Sequence, residues 1–273
     1  MAAFDILKAM KSTVLVMTCA IAVLSAVGCD SRQAQQLKSM KQILAASGIG
    51  AESAALIGKR IDAAPERFFD LVEKVNTEMV ADPFLLRLLD KGHSLPSDYE
   101  SSDLVPLDGS GIPVSRTGHR LRKPAFDALM DMDKAARSDG ISLLVSSSYR
   151  SYAYQSGVFA RNVAEMGKKE AERVSAAPGT SQHQLGTAID FGSITDAFAL
   201  TAAGKWLSAN AGRFGFSLSY PKGQEGLTGY VWESWHYRYI GKDAVALCDE
   251  YFGGIQQYLM LFLDALSRAQ PKR

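Results

Sequence analysis

His183 and Asp190 stand seven residues apart with Gly186 between them, and that spacing narrows what the surrounding chain can become. On an α-helix the two side chains would share a face but sit about 10 Å apart along the axis, too far to meet at one point. On a straight strand an odd separation sends them to opposite faces. They converge only if the chain turns between them, and glycine turns most freely. Residues 187–190 then read as a strand whose last carboxylate comes back toward the imidazole. Taken singly, His183 is as well explained as a polar loop residue and Asp190 as a cap.

Two further stretches change the weight of that pair. Glu233-Ser234-Trp235-His236 places a carboxylate and an imidazole three residues apart, close enough in a turning strand to serve one centre. Ser148-Tyr149-Arg150-Ser151 follows a β-prone run at 141–146 and offers a fixed cation, which could also lie solvated at the surface. The chain has four histidines, and two of them fall in these motifs. The inventory is that of a single-zinc hydrolase: three protein ligands with an open position for water, a base, and a cation for a developing oxyanion. Glu233 suits the base better than a ligand, because a base must reach the water without neutralising the metal. Trp232, Trp235 and Tyr237 would keep such a pocket dry, although core packing explains them equally well. His93 and His119 lie outside the motifs and read as surface residues.

Residues 1–28 have a different texture. Lys8 and Lys11 precede an uncharged run to Gly28, the pattern of a secretory signal peptide, or of an uncleaved anchor at the short end of membrane-spanning length. Cys29 directly after it resembles the acceptor of bacterial lipoproteins, although Ala26 stands where leucine is usual. Either way the remainder is expected outside the cytoplasm, tethered to a membrane at the bacterial cell envelope, facing the periplasm or the exterior. Cys248 would then be the one thiol left in the mature chain, with no internal partner, so the fold must be held by its core. It falls in an apolar helical pattern and reads as buried and inert. With 30 basic and 29 acidic residues and no basic stripe, nucleic acid is not an expected partner.

The periodicity predicts helices at 30–47, 51–61 and 65–90, the last broken or kinked at Pro83. Loop texture follows, then helices at 124–137, 154–166 and 168–176, strands at 141–146 and 186–191, and a strand or hairpin at 227–239. One apolar helix is expected at 244–267. Helices and strands mix without a repeating βαβ order, which is an α+β pattern.

Three separated motifs in order, Ser148-Tyr149-Arg150-Ser151 with Gln155, Pro178 through Asp190, and Gly229 through His236, resemble those of the VanY-type zinc D,D-/L,D-carboxypeptidases. The likeness extends over roughly residues 85–245, including Leu95 to Tyr99. Ser147 or Ser148 stands where glycine is common, and Ser234 where proline is frequent; neither change removes a chemical group. The resemblance implies a hedgehog/D-Ala-D-Ala-peptidase-like α+β domain with one Zn²⁺ per chain. It implies His183, Asp190 and His236 as metal ligands and Glu233 as the base. Arg150 would be both catalytic and substrate-binding, with Gln155 and Ser181 lining the substrate pocket. The expected organisation is a signal peptide at 1–28, a lipid-anchored helical spacer at 29–84, the catalytic domain at 85–245 and a docked C-terminal helix at 246–273. The expected activity is removal of the C-terminal D-amino acid, D-alanine, from peptidoglycan stem peptides by Glu-assisted attack of a zinc-bound water. The alternatives are a peptidoglycan dipeptidase or endopeptidase, and a non-catalytic wall-binding lipoprotein.

Overall fold

The structure, a computed structural model, describes residues 33–269. The expected signal peptide and the lipid-acceptor Cys29 lie outside the described residues. Helix α1 covers 33–46, followed by α2 (Ala51–Ala63) and α3 (Pro65–Ala81). Proline at the first turn of α3 suits a position whose N–H has no helical partner. The helix ends before Pro83, where Asp82 Oδ1 accepts from the backbone N–H groups of Phe84 and Leu85.

A short hairpin, β1 (Leu104–Pro106) and β2 (Arg120–Arg122), leads into α4 (Lys123–Ser138). Then come β3 (Val145–Ser147), α5 (Tyr152–Met166), α6 (Lys168–Val174) and a 3₁₀ turn at Gln182–Leu185. β4 (Ala188–Phe191), α7 (Ala202–Asn210), β5 (Phe216–Leu218), α8 (Glu225–Thr228) and β6 (His236–Tyr239) follow. Helices α9 (Lys242–Tyr251) and α10 (Gln256–Ala269) close the described chain. The main sheet runs β3-β4-β6-β5, every neighbour antiparallel. This is an α+β fold in which helices α1–α3 precede the sheet.

Alternation along the two central strands separates core from chemistry. Ile189 and Phe191 on β4, with Tyr237 on β6, enter a core shared with Leu129 and Met132 of α4 and Leu207 of α7. Asp190 and His236 therefore point to the opposite face. A second core joins α2, α3, α9 and α10 through Ile61, Phe68, Leu71, Leu247, Tyr251 and Phe262. Arg238, fully buried, ties that layer to the sheet by donating to the carbonyls of Leu85 and Arg87.

Three expected elements differ. The strand expected at 141–146 forms only at Val145–Ser147. The aromatic run at 227–239 pairs as strand only in its last four residues; Gly229 at φ +79° ends α8, and the chain between wraps around a cleft. The expected single C-terminal helix is two, broken by Gly253 and Gly254 at φ +68° and +71°. Cys248 is buried as expected, and burial raises its thiol well above the ordinary range.

Gly186 ends the 3₁₀ turn in the left-handed region at φ +74°. A Cβ there would stand 2.9 Å from Arg122 Cγ and from Leu104 Cδ2, while Gly186 O accepts from Arg122 N. Gly186→Ala should therefore lose about 1–3 kcal/mol of stability in urea unfolding. An unchanged midpoint would show that the turn tolerates a side chain.

Candidate active site

The sheet register delivers the first two groups. Asp190 on β4 is paired directly with His236 on β6, so their side chains stand side by side on one face. The Gly186 turn lays His183 over them. His236 Nδ1 lies 2.9 Å from Asp190 Oδ1, and His183 Nε2 lies 3.2 Å from Asp190 Oδ2. Ligand atoms of all three residues fall within 4.8 Å of one another, and all three residues are buried.

Neighbouring acceptors decide where the imidazole hydrogens sit. The Ser148 carbonyl, 2.7 Å from His183 Nδ1, can only accept, so Nδ1 carries the hydrogen and Nε2 keeps a lone pair. Gln182 Oε1 accepts from Ser219 Oγ at 2.7 Å and stands 3.1 Å from His236 Nε2, while Asp190 Oδ1 stands 2.9 Å from Nδ1; with its hydrogen on Nε2 toward Gln182, His236 presents Nδ1 to a cation beside Asp190. His183 Nε2 is buried with no hydrogen-bond partner among the described residues; its approach to Asp190 is not aligned as a hydrogen bond. His183 Nε2, His236 Nδ1 and the Asp190 carboxylate thus converge, a donor set that suits a cation. Ligands about 2.0–2.1 Å from a tetrahedral Zn²⁺ lie about 3.3 Å apart, close to the separations here. The outward hydrogen bonds are those that aim metal-binding histidines.

Burial pushes His183 down to about 4, and nearby Arg150 adds to the push, so the imidazole is neutral near pH 7. Burial opposes charge on Asp190, yet the two imidazoles hold its carboxylate well below the ordinary range. Burial raises Glu233 well above that range, Asp190 raises it further, and Arg150 opposes both. Glu233 Oε2 lies 3.6 Å from His236 Nδ1. Arg150 Nη2 lies 3.7 Å from Asp190 Oδ2, and Arg150 Nε is buried without a hydrogen-bond partner among the described residues.

The expected ligands, base, arginine and pocket-wall residues open onto one cavity of about 230 Å³: His183, Asp190, Glu233, His236, Arg150, with Gln155 and Ser181 on its wall. Gln155 Nε2 donates to Ala176 O, and its Oε1 is unpartnered among the described residues. Ser181 Oγ accepts from His183 N. Some readings fail. Of the three expected aromatic neighbours only Trp235 lines the cavity; Trp232 and Tyr237 line another, and Tyr220 and Tyr230 take their place. His93 is exposed as expected, but His119 is buried. Gln182 and Ser219 were not marked by the sequence, because their roles depend on a partner brought in by the fold.

The model of the VanY family, described as D-alanyl-D-alanine carboxypeptidase, matches residues 118–242, which include all five chemical groups. YodJ of Bacillus subtilis strain 168, named as a carboxypeptidase, is 37% identical over 201 residues, spanning 70% of this chain and 74% of that one. The chain belongs to the VanY family of D-alanyl-D-alanine carboxypeptidases. Among solved VanY-like structures, the LdcB LD-carboxypeptidase has 38% identity and a TM-score of 0.56, covering 63% of this chain and 86% of that one. A VanY D,D-pentapeptidase variant from the VanB-type vancomycin-resistance cassette, in complex with Zn(II), has 33% identity and a TM-score of 0.54, covering 64% and 99%. This VanY chain is accordingly a peptidase.

If Gln182 fixes the His236 tautomer, Gln182→Leu should weaken Zn²⁺ binding about 10–100-fold in competition with a chromophoric chelator. Unaltered affinity would remove Gln182 from that role.

Proposed function

We propose that this protein is a zinc carboxypeptidase that removes the C-terminal D-amino acid, D-alanine, from peptidoglycan stem peptides. The observation that carries this reading is the inward-facing donor set of His183, Asp190 and His236, with a buried carboxylate beside it that is not needed as a ligand. The Zn(II) complex of a VanY relative supports the choice of metal. One ion per chain would be held by His183 Nε2, Asp190 and His236 Nδ1. Zn²⁺ there would supply Lewis acidity, making water a nucleophile at neutral pH and polarising the scissile carbonyl.

Glu233 takes the proton of the attacking water and returns it to the leaving amine. The new C–O bond replaces the C–N bond, releasing a shortened peptide carboxylate and a free D-amino acid. Burial suits Glu233 to this work, because a carboxyl of raised proton affinity is a stronger base. Arg150, with a buried donor to spare, meets the oxyanion or the substrate's terminal carboxylate. Gln155 and Ser181 line the wall along which the peptide lies. Tyr220, Tyr230 and Trp235 exclude water and strengthen each charge. A binding module would have no use for Glu233 in this place.

The anchor belongs to the same proposal: the basic-then-apolar run ending at Cys29 supports a lipoprotein held at the cell envelope. Cys29→Ala should then move the protein from the membrane to the soluble fraction; continued sedimentation with membranes would favour an uncleaved apolar anchor. For the chemistry, the protein should shorten tetrapeptide or pentapeptide muropeptides by one terminal alanine in mass analysis. Loss from the tetrapeptide alone means an L,D-enzyme and loss from the pentapeptide alone a D,D-enzyme, whereas removal of a dipeptide or cleavage of a crosslink would replace the carboxypeptidase reading. Glu233→Gln should reduce turnover at least 100-fold while one Zn²⁺ per chain remains. Activity retained in a zinc-loaded variant would remove Glu233 as the base.

A further inference from the structure

His119 is 1% exposed, lies outside the cleft, and has no part in the chemistry above. Its ring sits between two serines. Nδ1 is 3.0 Å from Ser148 Oγ, and Nε2 is 3.4 Å from Ser115 Oγ. The hydrogens can be assigned in turn. Ser115 Oγ gives its hydrogen to Ser146 O, so it meets the imidazole as an acceptor and His119 Nε2 carries the ring hydrogen. Nδ1 is then the acceptor, and Ser148 Oγ donates to it. Arg120 N–H donates to the same Ser148 oxygen at 3.1 Å, and Tyr149 N–H donates to Arg120 O at 3.0 Å. Burial, with Arg116 nearby, pushes the imidazole down and keeps it in this single-hydrogen form.

The consequence runs through the next atoms of the chain. Ser148 O is the carbonyl that takes the His183 Nδ1 hydrogen at 2.7 Å. Its peptide is gripped from the hydroxyl side by His119 and Arg120, so the carbonyl has a fixed direction. An apolar residue at 119 would leave a buried hydroxyl without its acceptor and remove one of the two contacts that grip Ser148 through its Oγ.

We propose that His119 is a positioning residue for the metal centre: it holds Ser148, and through the Ser148 carbonyl it sets the tautomer and aim of His183. This rests on the reading of His183 as a zinc ligand. Shape alone would ask only for a ring of this size at 119; the role assigned here asks for an acceptor at the Nδ1 position. Leucine lacks that acceptor, whereas the side-chain oxygen of asparagine can stand near it.

The test uses the full-length protein and three readouts on wild type, His119→Leu, His119→Asn, Ser148→Ala and the His119→Leu/Ser148→Ala pair. Zn²⁺ affinity by chelator competition should fall about 10-fold in His119→Leu and be largely restored in His119→Asn. The double variant should bind Zn²⁺ about as weakly as His119→Leu alone, because both changes break one chain of contacts. Nitrogen-15 NMR of the metal-free protein should place the His183 hydrogen on Nδ1 in wild type and His119→Asn, and on a mixture of nitrogens in His119→Leu. Turnover by the zinc-loaded His119→Leu protein should show a lower kcat at unchanged KM. Wild-type affinity in His119→Leu with the His183 hydrogen still on Nδ1 would overturn the inference alone. Equal losses in His119→Leu and His119→Asn would overturn it too, leaving a ring that only fills space. A wild-type chain that takes up no Zn²⁺ would overturn the metal reading and this inference together.

Discussion

Asp190 and His236 face each other across two antiparallel strands, and the rest of the site is arranged around that register. A slip of one residue would turn His236 into the core and bring Tyr237 to the cleft. The apolar face prevents it: Ile189 pairs with Tyr237, and both are buried against α4 and α7. Packing on one side of the sheet thus fixes chemistry on the other. His183 comes from outside the sheet, and its place depends on one left-handed glycine seated against Arg122 and Leu104.

Around these three residues the hydrogen bonds point outward and the lone pairs inward. Ser148 O takes the His183 Nδ1 hydrogen and fixes that tautomer before any ion arrives, and Gln182 Oε1 offers His236 Nε2 an acceptor on the side away from Asp190. Such preorganisation leaves His183 Nε2 buried without a hydrogen-bond partner among the described residues, which favours a bound cation. The helical layer takes part in holding the face: Gln256 of α10 donates to Ser217 O, and Ser219, two residues on, holds Gln182. Arg238, on the same face of β6 as His236, anchors the backbone at Leu85 and Arg87.

Much of this was legible in the residues. The spacing of His183, Gly186 and Asp190 excluded a helix and a straight strand, and the turn it required is the one found. Family likeness joined that turn to Arg150 and to the Glu233–His236 stretch, and all five groups open onto one cavity. What stayed hidden depended on contacts between distant segments. Gln182 sits next to a residue already marked, but its partner His236 is 54 positions away. His119 looked like a surface histidine because nothing local shows that Ser148, 29 residues on, will cover it. The 227–239 run misled for another reason: residues with strand propensity there line cavities, and only the last four enter the ladder. The apolar pattern at 244–267 is continuous enough to read as one helix, whereas Gly253 and Gly254, both at positive φ, break it in two.

The central claim is that one ion is held by two imidazoles and one carboxylate whose outward hydrogen bonds leave those three donors facing inward. A crystal structure of the Zn²⁺-loaded protein with anomalous data at the zinc edge measures this directly. The expected result is a single strong peak about 2.0–2.1 Å from His183 Nε2, an Asp190 oxygen and His236 Nδ1, with Glu233 nearby but not bound. A peak bonded to His236 Nε2, a zinc bound elsewhere on the chain, or no peak at this cluster at full zinc loading would contradict it.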